Sequence, residues 1–255
     1  MDEITLLENL VYDDATGKAG LYDMILPGKD GCSCESLFFY IHGGGIENGD
    51  KGGKSPTFAK LAERGIATAT INYRMFPDGA KFPMFIEDCA RALHTVLTEG
   101  RKHCDFKKIY VGGSSAGAYL SMMLFFNPAY LGVWKIDPND IDGWFFDAGQ
   151  PTAHFGILQR NGIDPLAVRI DETAPIYYID KRYKDTEKLP RLHFIWAEKD
   201  MLLRPEQNQL MVRTLECFGY PKEKLSTQFM PGYGHCQYCG DHELFSSMIA
   251  DFING

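Results

Sequence analysis

No stretch of this sequence approaches the roughly twenty consecutive apolar residues that a bilayer-spanning helix needs. Positive charge is also short: 26 Lys and Arg stand against 34 Asp and Glu, a net charge of −8. With no basic stripe to neutralise phosphates, a nucleic-acid partner is not expected. The opening "MDEITLLENL" has neither a basic start nor a long apolar core, so it does not read as a secretory leader. Seven cysteines, an odd number in 255 residues, do not read as a disulfide framework, and a cytoplasmic location is the expectation. No repeat, low-complexity tract or linker-like break divides the chain. A single domain over residues 1–255 is expected, and 45% hydrophobic residues suffice for its core. A phosphate loop is absent as well. Gly53-Lys54-Ser55 has the ending of one, but its first glycine would fall at Asn48, and no strand leads into it.

What the chain does contain is a series of short apolar runs. They lie at 36–45, 65–74, 107–117, 141–149, 191–200 and 226–235, and each reads as a buried strand. Helical stretches separate them. "SPTFAKLAER" (55–64) opens on Ser and Pro, and "FIEDCARALHTVLTEG" (85–100) puts Ile86, Cys89, Ala90, Leu93, Val96 and Leu97 on one face. Further helices are predicted at 116–126, 205–219 and 242–253. This alternation predicts an α/β fold, mainly a parallel sheet of about eight strands with helices on both faces. The runs near 9–14 and 20–27 have no helix between them and predict an antiparallel edge. Residues 150–190 are the least regular part and read as a small insertion over the sheet. Ligands of such sheets bind beyond the carboxyl ends of the strands.

Two glycine motifs stand at such ends. Gly113-Ser114-Ser115-Ala116-Gly117 fits G-x-S-x-G between a strand and a helix, the turn that lifts a serine hydroxyl clear of its neighbours. Ser115 is then the candidate nucleophile, and Ser114 the small neighbour. His42-Gly43-Gly44-Gly45 closes an earlier strand, and glycine amides supply unobstructed donors to an oxyanion.

With these motifs the sequence resembles the α/β-hydrolase fold, and within it the HGGG-type esterases and lipases related to hormone-sensitive lipase. The segment "INYRMFPDGAKFPMFIEDCARAL" (71–93) is similar to that family's Y-R … F-P … D segment, and "DETAPIYYI" (171–179) to its stretch before the later strands. The resemblance implies an oxyanion hole of Gly44, Gly45 and the Ala116 amide, with Gly43 as the alternative donor. Two departures stand out. The family's N-terminal helical cap has no room here, which implies a minimal cap, and Ala197 stands where a glycine is usual.

The order expected after the nucleophile is an acid and then a histidine. "FIWAEKDML" offers Glu198 and Asp200, and the resemblance implies Asp200. His235 follows the last strand and is the expected base; His42, His94, His103, His154, His193 and His242 are the competitors. His235-Cys236-x-x-Cys239-x-x-His242 has a spacing that zinc could use, but a base cannot also be a ligand, and no metal site is expected. Cys32-x-Cys34 reads as part of a polar loop, and Cys89 and Cys217 as core residues. The resemblance implies a cofactor-free serine carboxylesterase with a small-molecule ester as partner and no membrane or nucleic acid; the missing cap adds the expectation of short acyl esters, including sugar or plant-derived ones. An arylformamidase-like amide hydrolase would use the same triad, and a prolyl-oligopeptidase-type peptidase would bring a large extra domain. A non-catalytic receptor on the same scaffold is expected to have lost a triad member.

Overall fold

Leu37-Phe38-Phe39-Tyr40-Ile41 is apolar without alternation because its strand is covered on both faces. Leu37, Phe39 and Ile41 enter one core cluster and Phe38 the other. The same split recurs farther along, where Trp144 and Phe146 face one side and Phe145 the other. The structure, a computed structural model, describes residues 4–180, 183 and 188–255.

Eight strands form one sheet: β1 (Thr5–Val11), β2 (Leu21–Leu26), β3 (Cys32–Ile41), β4 (Ile66–Ile71), β5 (Cys104–Ser114), β6 (Gly143–Asp147), β7 (Arg191–Lys199) and β8 (Leu225–Gly234). Their spatial order is β1-β2-β4-β3-β5-β6-β7-β8. β1–β2 and β2–β4 are antiparallel, and every other pairing is parallel. The helices are α1 (Pro56–Glu63), α2 (Met84–Thr98), α3 (Ala116–Phe126), the short α4 (Ala129–Gly132), α5 (Phe155–Arg160), α6 (Arg204–Cys217) and α7 (His242–Asn254). Phe58 and Leu61 of α1 join Phe245, Ile249 and Ile253 of α7 on one face of the sheet. Ile86 and Leu93 of α2, Leu120 of α3 and Met211 and Leu215 of α6 cover the other. α3 lies under so much chain that all eleven of its residues are buried. Among the described residues no α-helix precedes β3.

Several local readings change. β1 starts at Thr5, ahead of the expected 9–14. Cys32 and Cys34 belong to β3 rather than to a polar loop, because the strand begins four residues early to pair with the start of β5. Their thiols meet Cys104 Sγ at 3.5 and 3.3 Å. Cys89 is buried, but Cys217 is exposed at the last turn of α6. It lies two residues beyond the inward Leu215, about 200° around the helix. In the stretch 150–190, α5 and a turn of 3₁₀ helix at Pro175–Tyr178 are formed. Residues 181, 182 and 184–187 of that stretch lie outside the described residues. No helix among the described residues is long and apolar enough to cross a membrane.

Candidate active site

The carboxyl ends of β3, β5, β6, β7 and β8 lie side by side, and each delivers polar residues to one edge. After β5 the chain turns into α3 at Ser115, whose φ of 55° lies in a region that L residues occupy at a cost of about 1–3 kcal/mol. The neighbours explain how so tight a turn fits. A Cβ on Gly113 would meet Ile41 O at 2.4 Å, and one on Gly117 would meet the same oxygen at 1.9 Å. The Ser115 amide donates to Asp147 O at 2.7 Å, which ties the turn to β6.

Ser115 Oγ lies 2.7 Å from His235 Nε2, and His235 Nδ1 lies 2.5 Å from Asp200 Oδ1. In the neutral imidazole Nδ1–H donates to the carboxylate, and Nε2 is then the acceptor facing the serine. Asp200 also accepts from the Met201 amide at 2.7 Å and the Ala197 amide at 3.3 Å. Burial works to raise the Asp200 pKa, but the His235 bond and charge and these amides outweigh it and hold the pKa below the usual value. Burial also pulls the His235 imidazole down, yet the bonds to Asp200 and Cys236 and their charges raise it to about 9. Glu198, the rival acid, instead accepts the Gly232 amide at 2.7 Å. Asp171 is occupied by Thr173 and by Arg169 at 2.6 Å.

The other histidines are accounted for. His42 stacks on Tyr73 and holds Gly43 O at 2.7 Å. His94 stacks on Trp134, and His103 bonds Asp30 at 2.8 Å. His154 accepts the Gly156 amide at the start of α5, and burial, helped by Arg204 and Arg160, lowers its pKa to about 3. His193 bonds Ser226, and His242 bonds Thr57. His242 is therefore not brought to the cysteines of its sequence motif.

Gly43, Gly44 and Gly45 wall the cleft beside Ser115. Their amides and that of Ala116 donate to no acceptor among the described residues. Buried His42, whose pKa is lowered by burial, braces this loop through Gly43 O, and the Tyr73 hydroxyl donates to His42 O at 3.0 Å. Gly44 has φ 103°, and a Cβ there would meet Asn48 O at 1.8 Å. Gly44→Ala must therefore displace the loop. On the expectation that Gly44 is an oxyanion donor, the substitution lowers kcat by about 10²–10³, which steady-state kinetics on an ester substrate would read. An unchanged kcat would show that this loop does not meet the developing charge.

The cleft has a volume of about 480 Å³, with Phe155, Met201 and Cys236 on its walls besides the glycines, Ser115 and His235. A smaller hollow of about 160 Å³ shares Phe155 and Met201 and adds Leu166, Leu202 and the buried Arg204. Arg204 donates to Ala148 O at 2.6 Å and to Gln150 Oε1 at 3.2 Å.

Sequence reasoning missed the group around Asp147. Asp147, fully buried at the end of β6, accepts from the Tyr238 hydroxyl and from Cys239 Sγ at 3.3 Å, and burial raises its pKa. Ser114 Oγ bonds Asp147 and accepts from Tyr40 Oη at 3.0 Å. The one available signal was an acid closing the apolar run Trp144-Phe145-Phe146.

Comparison with known proteins bears on the same region. Residues 22–129, which include the glycine loop and the serine turn, match the family model described as BD-FAE, an α/β-hydrolase-like esterase family. A protein of Oryza sativa subsp. japonica described as a probable isoprenylcysteine alpha-carbonyl methylesterase is 30% identical over 136 residues. That match takes in 53% of this chain and only 30% of the rice protein. Among solved structures, the inhibited esterase B of Lactobacillus rhamnosis superposes with TM-score 0.76 at 17% identity, over 100% of this chain and 88% of that one. A bifunctional GH43-CE protein of Bacteroides eggerthii gives TM-score 0.75 at 20% identity, over 98% of this chain and 35% of that one.

Proposed function

From a chain that has the α/β-hydrolase fold and matches an esterase family model over residues 22–129, we infer a serine carboxylesterase. One observation carries the reading: the unbroken line Ser115 Oγ–His235 Nε2, 2.7 Å, and His235 Nδ1–Asp200 Oδ1, 2.5 Å. His235 takes the hydroxyl proton as Ser115 Oγ attacks the ester carbonyl, and the oxyanion is met by the amides of Gly44, Gly45 and Ala116. The imidazolium passes that proton to the departing alcohol and leaves an acyl group on Ser115. Water, deprotonated by the same imidazole, then releases the acid. Asp200 keeps the ring in the productive tautomer and stabilises its charge, so no cofactor enters the steps. The cytoplasmic placement rests on the composition of the chain and its odd number of cysteines.

The substrate reading is a short-chain acyl ester of a sugar or plant-derived alcohol. It is supported by the open cleft and by likeness to the structure of a truncated carbohydrate esterase from gut microbiota. Each CH₂ that is buried contributes roughly 0.8 kcal/mol, so a long acyl chain gains only where a wall covers it. Phe155, Leu166, Met201 and Leu202 wall a hollow of only about 160 Å³ beside the cleft. Across p-nitrophenyl esters of increasing chain length, kcat/KM is expected to peak among the short acyl groups and then fall. A steady climb to the longest chain would overturn the short-acyl assignment. Feruloyl, acetylated sugar and formamide substrates in the same assay separate the ester from the amide reading.

A further inference from the structure

We propose that Asp147, Cys236 and Cys239 form a binding site for a divalent cation of the zinc and cadmium class, and that a cation held there takes His235 out of action. The binding half stands on geometry alone; the inhibition half rests on the hydrolase reading above.

The donor set is of the right kind and nearly in the right place. Cys236-x-x-Cys239 has the ligand spacing of thiolate zinc sites. A turn closes it, with the Cys239 amide donating to Cys236 O at 3.1 Å. Cys236 takes φ 51° at that turn. The carboxylate arrives from β6, ninety residues away in sequence, and one donor atom from each residue lies within 4.8 Å of the other two. Cys239 Sγ already stands 3.3 Å from Asp147 Oδ2. Zinc–sulfur bonds of about 2.3 Å and zinc–oxygen bonds of about 2.0–2.2 Å put tetrahedral donors roughly 3.5–3.8 Å apart, so shifts of about 1 Å complete the set. The Tyr238 hydroxyl holds the second carboxylate oxygen, the kind of outer partner that orients a ligating acid.

Access and consequence follow from Cys236. It lines the open cleft, so a hydrated cation reaches the site through the substrate's own entrance. As the two sulfur–metal bonds form, each thiol gives up its proton to solvent, and nothing is oxidised or reduced. Three protein donors leave a fourth position. Cys236 Sγ lies 3.8 Å from His235 Nε2, so that nitrogen is the nearest candidate for it. An Nε2 whose lone pair is on a metal cannot accept the Ser115 proton. Calcium and magnesium prefer oxygen ligands and should leave the protein unaffected.

The test titrates the reduced, chelator-treated protein with Cd²⁺, reading the ultraviolet thiolate-to-cadmium charge-transfer band and, in parallel, ester hydrolysis. One equivalent bound, a charge-transfer band and loss of most of the hydrolytic rate, all reversed by chelator, are expected. The Cys236→Ser/Cys239→Ser double variant should show no band and, against its own metal-free rate, no inhibition. Tyr238→Phe should weaken Cd²⁺ binding about 10-fold. A wild-type titration without the band overturns the site. A band without inhibition, or equal inhibition in the double variant, overturns the action on His235. A protein that hydrolyses no ester even without metal defeats the hydrolase reading, while the band still decides the site.

Discussion

Ser115→Ala is expected to lower kcat by a factor on the order of 10⁶ and to leave thermal unfolding nearly unchanged. The size of the loss follows from what the hydroxyl does. In the proposed mechanism it is the atom that bonds to the substrate, and without it His235 and Asp200 have no partner to activate. The small effect on stability follows from the backbone. Alanine has the same Cβ as serine, so the strain at φ 55° is neither added nor relieved. The one interaction lost is the 2.7 Å bond to His235, at a half-exposed site where a hydrogen bond is worth about 1 kcal/mol. Ser114→Ala should do the reverse. Ser114 is buried, and its removal leaves the Tyr40 hydroxyl and Asp147 short of a partner, at a cost of about 1–3 kcal/mol. Its activity should largely survive. A phosphonate probe would then label the Ser114 variant and not the Ser115 variant. Labelling with the opposite preference would overturn the assignment.

This contrast between adjacent serines also shows where the sequence was legible. Ser115, Asp200 and His235 each follow a strand whose apolar run can be seen, and small residues mark the turn because larger ones would strike Ile41. Those signals are local. The group around Asp147 is not: Tyr40, Ser114, Asp147, Tyr238 and Cys239 come from four separate places in the chain, and no shared pattern links them. Only the sheet order, which sets β6 between β5 and β7, brings them together. Cys32 and Cys34 misled for a related reason. Ser33 and Glu35 alternate with them toward solvent, and this polar alternation resembles a loop until the partner strand is known. The wall residues Met201 and Arg204 were illegible for a third reason. Met201 lies in the turn after β7 and Arg204 opens α6, so neither sits inside a periodic run whose faces can be read.

Asp200→Asn is expected to lower kcat by about 10⁴ with the fold intact, the cost of presenting the imidazole in the wrong tautomer. The structure supplies the reason. The Met201 amide and His235 Nδ1 share Asp200 Oδ1 while the Ala197 amide meets Oδ2, so an asparagine has one uncharged oxygen where these donors use two charged ones. With its NH₂ in the Oδ1 position it faces His235 Nδ1, the proton moves to Nε2, and Nε2 can no longer accept from Ser115. A pH readout separates this from simple loosening. In the wild type, kcat/KM should rise with pH until His235, raised to about 9, has lost its proton. Without the carboxylate that limb should move to lower pH. The stability effect has a definite sign as well. Asp200 has a lowered folded pKa, so its contribution is complete above the ordinary carboxylate range and is lost as pH falls through the folded value. His235 has a raised one, so its contribution is complete below the ordinary imidazole value and is lost as pH rises through about 9. The melting temperature deficit of the variant should therefore be widest in mildly acidic buffer and narrow toward pH 9. If kcat falls less than tenfold and the pH limb stays in place, Glu198 or another carboxylate serves His235, and Asp200 is only a brace for the loop after β7.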